Sequence, residues 1–249
     1  MIKLSDYVIR YLEQLNVAHM FMIPGGGAMH LNDSLGNSKH IQYVVCLHEQ
    51  ACAIAAEAYA RVSNKTGLLM VTTGPGGTNA LTGVTAAYIE STPMIVISGQ
   101  VKTADMINGQ GIRQQGMQEV DIVSIVKPVT KYAKLILDPD SIKYHLDRAV
   151  YEATNGRKGP VWLDIPLDVQ ASMIDENNLK GWKPNVIDEK NKALNEKKIE
   201  EMVLEMIQHL NNAQRPVILA GNGIRLADGQ EEFEELVEKL KIPILTTWN

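Results

Sequence analysis

Short apolar segments alternate with longer amphipathic segments along most of this chain. The apolar segments 41–47, 67–73, 94–98 and 161–165 are each flanked by stretches whose apolar residues recur at helical spacing. Parallel strands are joined by crossover helices and buried on both faces, so each appears in the sequence as a continuous apolar run. The pattern therefore predicts an α/β protein with a parallel sheet flanked by helices, and about six strands fit the first part of the chain.

A polar stretch divides the chain of 249 residues into two parts. We predict a first domain over residues 1–170, a linker over residues 171–195, and a second, Rossmann-like α/β segment over residues 196–249. The last interval contains two apparent strands and two apparent helices, which bury too little surface for an independent core. We therefore expect the second domain to be truncated, or to pack on another partner.

The composition argues against several classes of partner. The formal net charge of −5 argues against nucleic acid. No stretch of about 18 apolar residues occurs, so we expect no membrane span, and the N-terminus enters an amphipathic helix rather than a signal peptide. Cys46 and Cys52 lie in apolar segments, which favours reduced thiols and a cytoplasmic location. With His48 they match no common zinc spacing, so we predict no metal ligand.

Glu49 stands where the apolar strand 41–47 ends and an alanine-rich helix begins. In open parallel sheets this edge is where ligands bind. Two interpretations stay open at this point. The carboxylate complements the helix dipole, an effect of about 0.3–1 kcal/mol, or it is a buried acid that shares a proton with a ligand nitrogen. We assign His48 a structural role, because adjacent residues at a strand end point to opposite sides.

Two glycine loops follow predicted strands and precede predicted helices. One is Pro24-Gly25-Gly26-Gly27, and the other is the segment 72–79, which contains Thr73-Gly74-Pro75 and ends in Asn79. Glycines let a backbone turn tightly or approach a flat ligand, and both explanations stay open. Neither loop has the spacing of a dinucleotide fingerprint or a P-loop, which disfavours a nucleotide-dependent oxidoreductase. The long polar loop 101–117 is typical of a functional or mobile segment.

Several motifs occur in a characteristic order along the whole chain. They are Pro24-Gly25-Gly26, His48-Glu49-Gln50-Ala51, Ala56-Glu57-Ala58-Tyr59-Ala60-Arg61, Thr73-Gly74-Pro75-Gly76-Gly77-Thr78-Asn79, Gln118-Glu119, Gly159-Pro160-Val161 with Asp164-Ile165-Pro166, and Gly221-Asn222-Gly223. Each motif is weakly specific by itself, but the ordered set is specific. On these motifs the chain resembles the N-terminal part of thiamine-diphosphate-dependent enzymes of the acetolactate synthase family.

The resemblance implies a pyrimidine-binding domain of the thiamine-diphosphate-binding fold, followed by the start of the family's central domain. It implies that Glu49 shares a proton with N1′ of the cofactor's aminopyrimidine ring, so that the cofactor's own amino group can activate its reactive carbon. It also implies that Gln118 faces the reacting carbon. Glu49 and Gln118 are thus the predicted catalytic residues. The predicted cofactor-binding residues are Glu49 together with Pro24, Gly25, Gly26, Thr73, Gly74, Pro75 and Asn79.

The resemblance also implies partners. In the family, Mg²⁺ and the diphosphate are held by a Gly-Asp-Gly motif and a downstream Asn of a third domain, which lies outside this sequence. The active site forms between two subunits, so we expect a homodimer or homotetramer, and a regulatory subunit is a further expected partner. Arg157 matches an arginine that contacts FAD in the flavin-containing members. A surface arginine is the alternative, and FAD stays open.

The implied reaction is decarboxylation of pyruvate, or a similar 2-oxo acid, and addition of the two-carbon unit to a second carbonyl, as in acetolactate synthase. Met117 stands where the family usually has Phe, and with the stretch 27–30 it motivates acetyl transfer from pyruvate to a keto-sugar as an alternative. His30 either lines the substrate pocket or lies on a helix surface. A non-catalytic binding module is the alternative if 249 residues are the natural chain. We expect the chain alone to be inactive.

Overall fold

The structure is a computed structural model that describes residues 1–107, 109–184 and 186–248, with the backbone alone over 186–195. The chain forms two compact units, Met1–Trp182 and Lys183–Asn249. Each unit is described by itself.

The first unit alternates strands and helices along most of its length. Its strands are β1 (Ile2–Lys3), β2 (His19–Met22), β3 (Gln42–Val45), β4 (Gly67–Val71), β5 (Met94–Gln100), β6 (Tyr132–Leu135), β7 (Pro160–Pro166) and β8 (Met173–Ile174). Its helices are α1 (Leu4–Glu13), α2 (Met29–Gly36), α3 (Glu49–Ser63), α4 (Pro75–Ile89), α5 (Ile122–Val126), α6 (Ile142–Thr154) and α7 (Leu167–Ala171).

Six of these strands form one parallel sheet in the order β3-β2-β4-β5-β7-β6. This confirms the predicted α/β class with a parallel sheet flanked by helices. In β4, Leu68 packs into a cluster with residues of α1, α2 and α6, while Leu69 packs into a second cluster with residues of α3 and α4. Successive side chains of a strand point to opposite faces, so a strand covered on both sides must be apolar throughout. The central strands therefore match the predicted pattern.

The two edge strands differ from the sequence prediction. The segment 41–47 was predicted as a buried strand, but this is wrong for β3: Tyr43 is 58% exposed and Val45 is 54% exposed. The reason is that β3 pairs with β2 on one side alone. At the other edge, β6 was not identified from the sequence, because its residues Tyr-Ala-Lys-Leu are too few and too mixed to form an apolar run.

The alanine-rich helix α3 lies against α4 over a close contact. A Cβ built on Gly83 of α4 would lie 2.5 Å from the Cβ of Ala53. Near the middle of α3, the buried Glu57 accepts hydrogen bonds from Thr92 Oγ1 at 2.9 Å and from Arg61 Nε at 3.0 Å. The small residues at the contact with α4 and the buried carboxylate at the centre of the helix thus fix the position of α3. Its first residue, Glu49, is thereby placed relative to the sheet.

The second unit contains α8 (Val186–Asn212), β9 (Ile218–Ala220), α9 (Gly223–Leu226), α10 (Gln230–Leu240) and β10 (Ile244–Thr246). Strands β9 and β10 pair in parallel. The stretch 171–195, which was predicted as a linker, contains regular structure at both ends. Strand β8 near its start pairs with β1, and α8 begins at Val186. The polar composition of this stretch is compatible with helix, because Lys, Glu, Ala and Leu all have high helix propensity.

Candidate active site

The carboxyl ends of β3, β2, β4 and β5 stand side by side at one edge of the sheet. The segment after β3 leads into Glu49, the segment after β2 contains the first glycine loop, and the segment after β4 contains the second. Because the strands are parallel, all three segments meet at this edge. It is the edge where open α/β sheets bind ligands.

Glu49 is the first residue of α3 and is 9% exposed. Asn79 of α4 donates a hydrogen bond from Nδ2 to Glu49 Oε2 at 3.0 Å. Within the described part of the chain no other hydrogen bond reaches this carboxylate. Its Oε1 lies 3.6 Å from the Cβ position of Gly76. Glu49 is thus buried at a helix N-terminus, with one oxygen held by Asn79 and the other facing Gly76, and proton sharing with a ligand nitrogen stays a prediction.

His48 caps the helix that begins at Glu49. Its Nδ1 accepts a hydrogen bond from the Gln50 N–H at 3.1 Å. This bond satisfies one of the first-turn donors that have no partner inside the helix. An imidazole nitrogen accepts only when it carries no proton, so the cap requires a neutral Nδ1. This contact is the structural one that His48 makes, and it holds the turn that carries Glu49.

The glycine loop after β2 lies against the end of β4. The Gly27 N–H donates to Thr72 Oγ1 at 3.1 Å. A Cβ on Gly25 would lie 2.5 Å from the Thr72 Cβ, and a Cβ on Gly27 would lie 1.9 Å from Thr73 Oγ1. The close approach that these two glycines permit is therefore an approach between neighbouring loops. Gly26, by contrast, has nothing within 4 Å of its Cβ position.

Gly74 brings the second glycine loop against the predicted catalytic glutamine. Its φ of 63° lies in the left-handed region that residues with a Cβ rarely adopt. A Cβ at this position would also lie 2.1 Å from the backbone oxygen of Gln118. Gln118 itself has a φ of 59°. The two segments, far apart in the sequence, are thus in backbone contact, and Pro75 then begins α4.

Glu119 organises the polar loop that precedes it. Its carboxylate accepts hydrogen bonds from the backbone N–H groups of Ile107 at 2.7 Å, Gln115 at 3.1 Å and Gly116 at 3.2 Å. In the motif Gln118-Glu119, a role was predictable from the sequence for Gln118 alone. The available signal was the loop itself, because a long segment without secondary structure needs side-chain partners for its backbone donors.

A cavity of about 520 Å³ opens at this edge of the sheet. Its lining includes four predicted site residues, Gly25, Gly26, Thr73 and Gln118, together with Gly27, Met29, Thr72 and Gln100. The other predicted site residues, Pro24, Glu49, Gly74, Pro75 and Asn79, do not line it. Thr72 lies between the residues that line the cavity and those that do not. It lines the cavity, and its Cγ2 lies 2.8 Å from the Cβ position of Gly76, which in turn faces Glu49.

A fully buried carboxylate lies beneath the cavity, in β7. Burial raises the pKa of Asp164 to about 7, hydrogen bonds from Ser98 and Gln100 oppose that increase, and the charge of Asp121 adds to it. Gln100 also lines the cavity. Asp164 belongs to one of the sequence motifs but had no predicted role, because its partners Ser98 and Gln100 lie on another strand.

Arg157 and His30 lie outside this cluster. Arg157 precedes β7 and so stands at the amino edge of the sheet, opposite to Glu49, where its Nε donates to Ser91 Oγ at 2.8 Å. An FAD contact by Arg157 stays a prediction. His30 is half-buried on α2 and is not among the cavity residues, although its neighbour Met29 is.

Three further features of the described residues concern metal-binding groups, cysteine thiols and membrane-spanning helices. The part of the chain that the structure describes contains no group of three or more His, Cys, Asp or Glu residues placed to hold a metal ion. Cys46 and Cys52 are both free thiols, and burial raises the pKa of Cys52 to about 12. Among the described helices, none combines the length and apolarity needed to cross a membrane.

Two protein families match this chain. Residues 2–125 match the family described as thiamine pyrophosphate enzyme, N-terminal TPP binding domain, and residues 203–249 match the thiamine pyrophosphate enzyme central domain. The acetolactate synthase large subunit of Lactococcus lactis is 36% identical over 243 residues, which are 98% of this chain and 40% of that protein.

Two further relatives have similar identity and coverage. The probable acetolactate synthase large subunit of Methanocaldococcus jannaschii is 36% identical over 251 residues, covering 98% of this chain and 40% of its own length. The acetolactate synthase large subunit of Corynebacterium glutamicum is 35% identical over 246 residues, covering 96% and 37%. The chain thus spans about two fifths of the length of these relatives. With matches to the family's N-terminal TPP binding domain and then to its central domain along the chain, this protein belongs to the thiamine pyrophosphate enzymes.

Proposed function

We propose that this chain supplies the pyrimidine-binding half of the active site of a thiamine-diphosphate-dependent acetolactate synthase. The observation that carries the proposal is the Glu49 carboxylate, which is buried, with one oxygen held by Asn79 and the other facing Gly76. An acid in this position can share a proton with a ring nitrogen. The absence of a side chain at Gly76 lets Thr72 and the Glu49 carboxylate come close to the backbone of α4.

Each part of the edge has a role in this proposal. When bound, thiamine diphosphate supplies a nucleophilic carbon for addition to a 2-oxo acid and takes up the electron pair released with carbon dioxide. Glu49 holds the proton at N1′ of the pyrimidine, and Asn79 keeps the carboxyl group oriented. The backbone from Thr73 to Pro75 bounds the ring.

The substrate side of the site is formed by the remaining predicted residues. Pro24, Gly25 and Gly26 flank the 2-oxo acid, and Gln118 orients it through its amide. Two of these glycines and Gln118 line the same cavity, which supports a shared role. Met117, which is 85% exposed, lines the same cavity beside Gln118 and would contact the second carbonyl compound.

The proposed substrate is pyruvate or a similar 2-oxo acid, and the proposed product with a second pyruvate is acetolactate, after which the relatives are named. Mg²⁺ and the diphosphate are bound by residues outside this chain, contributed by the partner in a homodimer or homotetramer. Pairing with a regulatory subunit and a cytoplasmic location are part of the same proposal. An FAD contact by Arg157 would be made away from Glu49, at the amino edge of the sheet.

We retain residues 1–170 as the cofactor-binding domain and residues 196–249 as the beginning of the central domain. The matched ranges 2–125 and 203–249 fall within these intervals. The 249-residue chain by itself should show no turnover, because the groups that bind the diphosphate lie elsewhere.

The test uses the longer polypeptide that carries this chain, with thiamine diphosphate, Mg²⁺ and pyruvate. We expect acetolactate to form, and we expect Glu49→Gln to lower kcat by roughly 10²- to 10⁴-fold, since the amide cannot supply the proton. Adding a keto-sugar as acceptor separates the alternative reaction, because acetyl transfer would then give a branched sugar in place of acetolactate.

Glu57→Gln is the matched control for Glu49→Gln. Glu57 is a buried glutamate of the same helix, but its partners are Arg61 and Thr92. The control should lower stability and leave kcat within about threefold of the parent. If the parent consumes no pyruvate, the proposed function is wrong. If both variants lose turnover equally, the role given to Glu49 is wrong.

A further inference from the structure

A chain of hydrogen bonds runs through the buried interior beneath the cavity, from β7 across β5 to the segment before α5. Trp162 Nε1 donates to Ser98 Oγ at 2.7 Å, and Ser98 Oγ donates to Asp164 Oδ1 at 2.5 Å. Gln100 Nε2 donates to Asp164 Oδ2 at 3.0 Å and also to the backbone oxygen of Val120 at 2.9 Å. Ser98, Gln100 and Asp164 are each at most 2% exposed.

The direction of every bond in this chain follows from Asp164. When Asp164 is ionised, both of its oxygens accept hydrogen bonds and neither carries a proton. One hydrogen of the Gln100 amide goes to Asp164 and the other to Val120, while Gln100 Oε1 accepts from the Val101 N–H at 2.9 Å. If residue 164 offered a donor to Gln100, the amide would have to turn over. Its oxygen would then face the Val120 oxygen, and that bond would be lost.

The bond to Val120 holds the segment that contains Gln118. Gln118 has a φ of 59°, a conformation that is strained for a residue with a Cβ and persists only when its surroundings enforce it. On one side the segment is backed by Gly74, whose Cβ position lies 2.1 Å from the Gln118 oxygen. On the other side it is tied to Gln100 through Val120. Gln118 itself remains exposed and lines the cavity.

We propose that Asp164 is a positioning residue which, through Gln100, keeps the segment 118–120 in the conformation that presents Gln118 to the cavity. This inference rests on the proposed role of Gln118 in substrate binding. A buried carboxylate is costly for folding, and an apolar residue of similar volume would fill the same space more cheaply. A carboxylate is therefore better explained by the orientation that it imposes on Gln100 than by packing alone.

The first test measures backbone hydrogen exchange on the 249-residue chain, without cofactor or substrate, at a pH above 7, where Asp164 is ionised. In Asp164→Asn the side-chain amide cannot accept from both donors, and we expect exchange in the segment 107–120 to accelerate by at least about tenfold through local opening. Gln100→Met removes the donor to Val120 directly and should give the same result if Asp164→Asn does not fold. Ser98→Ala is the matched control, since it breaks a buried bond to Asp164 but leaves the bonds of Gln100 in place.

The outcomes separate positioning from general stability. Acceleration confined to 107–120 in Asp164→Asn or Gln100→Met, and absent in Ser98→Ala, supports the proposal. No acceleration in that segment, or an equal one in Ser98→Ala, overturns it. Because no cofactor takes part, these outcomes do not depend on whether the proposed enzymatic function is correct.

The second test measures steady-state kinetics of the longer polypeptide with pyruvate. We expect Asp164→Asn to lower kcat by about tenfold or more while KM changes less than about threefold, because a misplaced Gln118 would weaken interactions made in the transition state. Ser98→Ala should retain kcat. A parent enzyme without turnover would refute the proposed function and leave the exchange result standing. Equal kinetic loss in both variants would overturn the positioning role.

Discussion

Replacing Asp164 with asparagine should flatten the pH dependence of folding stability between about pH 4 and pH 7. Burial raises the pKa of this carboxyl from 3.8 to about 7 in the folded protein, whereas in the unfolded chain it titrates near 3.8. Between these values the folded state holds a proton that the unfolded state has released. The contribution of Asp164 to stability is therefore fully present below about pH 4. It is lost as the pH rises through about 7.

The magnitude follows from the difference between the two pKa values. At about 1.36 kcal/mol for each pKa unit, the loss across the window is roughly 4 kcal/mol. Hydrogen bonds from Ser98 and Gln100 stabilise the ionised form and are already included in the raised pKa, as is repulsion from Asp121. The asparagine side chain cannot accept both hydrogen bonds, so the variant should be less stable by an amount that does not depend on pH. The loss of stability caused by ionisation of Asp164 should be absent from it.

The assay is urea unfolding of parent and variant at a series of pH values, followed by tryptophan fluorescence. Trp162 is fully buried and reports unfolding of the first unit, while Trp248 is fully exposed and should change little. Subtracting the two profiles removes the contributions of all groups that the variant retains. A difference in the free energy of unfolding that stays constant from pH 4 to pH 8 would refute the reasoning.

The remaining predictions concern the edge of the sheet. Asn79→Leu removes the donor to the buried Glu49 carboxylate and should lower the free energy of unfolding in urea by about 1.5–3 kcal/mol. An unchanged urea midpoint would contradict this prediction. Gly74→Ala should lower the free energy of unfolding by roughly 1–3 kcal/mol more than Gly109→Ala does. Both glycines have positive φ, but of the two only Gly74 faces the Gln118 backbone. Equal losses of stability in the two variants would argue against the contact. Glu119→Gln should accelerate protease cleavage within 107–116, since the amide replaces one of two accepting oxygens; parent-like cleavage would show that the loop does not depend on Glu119.

Long-range side-chain partners were not predictable from the sequence. Asn79 was assigned to cofactor binding, but the structure also makes it the donor to Glu49, on a different helix. Asp164, Ser98 and Gln100 lie on two strands whose pairing register brings Ser98 opposite Asp164. Local periodicity identifies strands but contains no information about which strands become neighbours, so neither the network nor the edge position of β3 could be inferred.

The sequence by itself determined the class of fold and the position of Glu49. Continuous apolar runs between helical stretches require a parallel sheet, and a residue that ends a strand and begins a helix in such a sheet must stand at its carboxyl edge. Only the tertiary structure decided what the glycines contact. Gly25, Gly27 and Gly74 pack against the neighbouring loops. Loops at adjacent strand ends lie close together, and a Cβ on any of these glycines would overlap with atoms of the next loop.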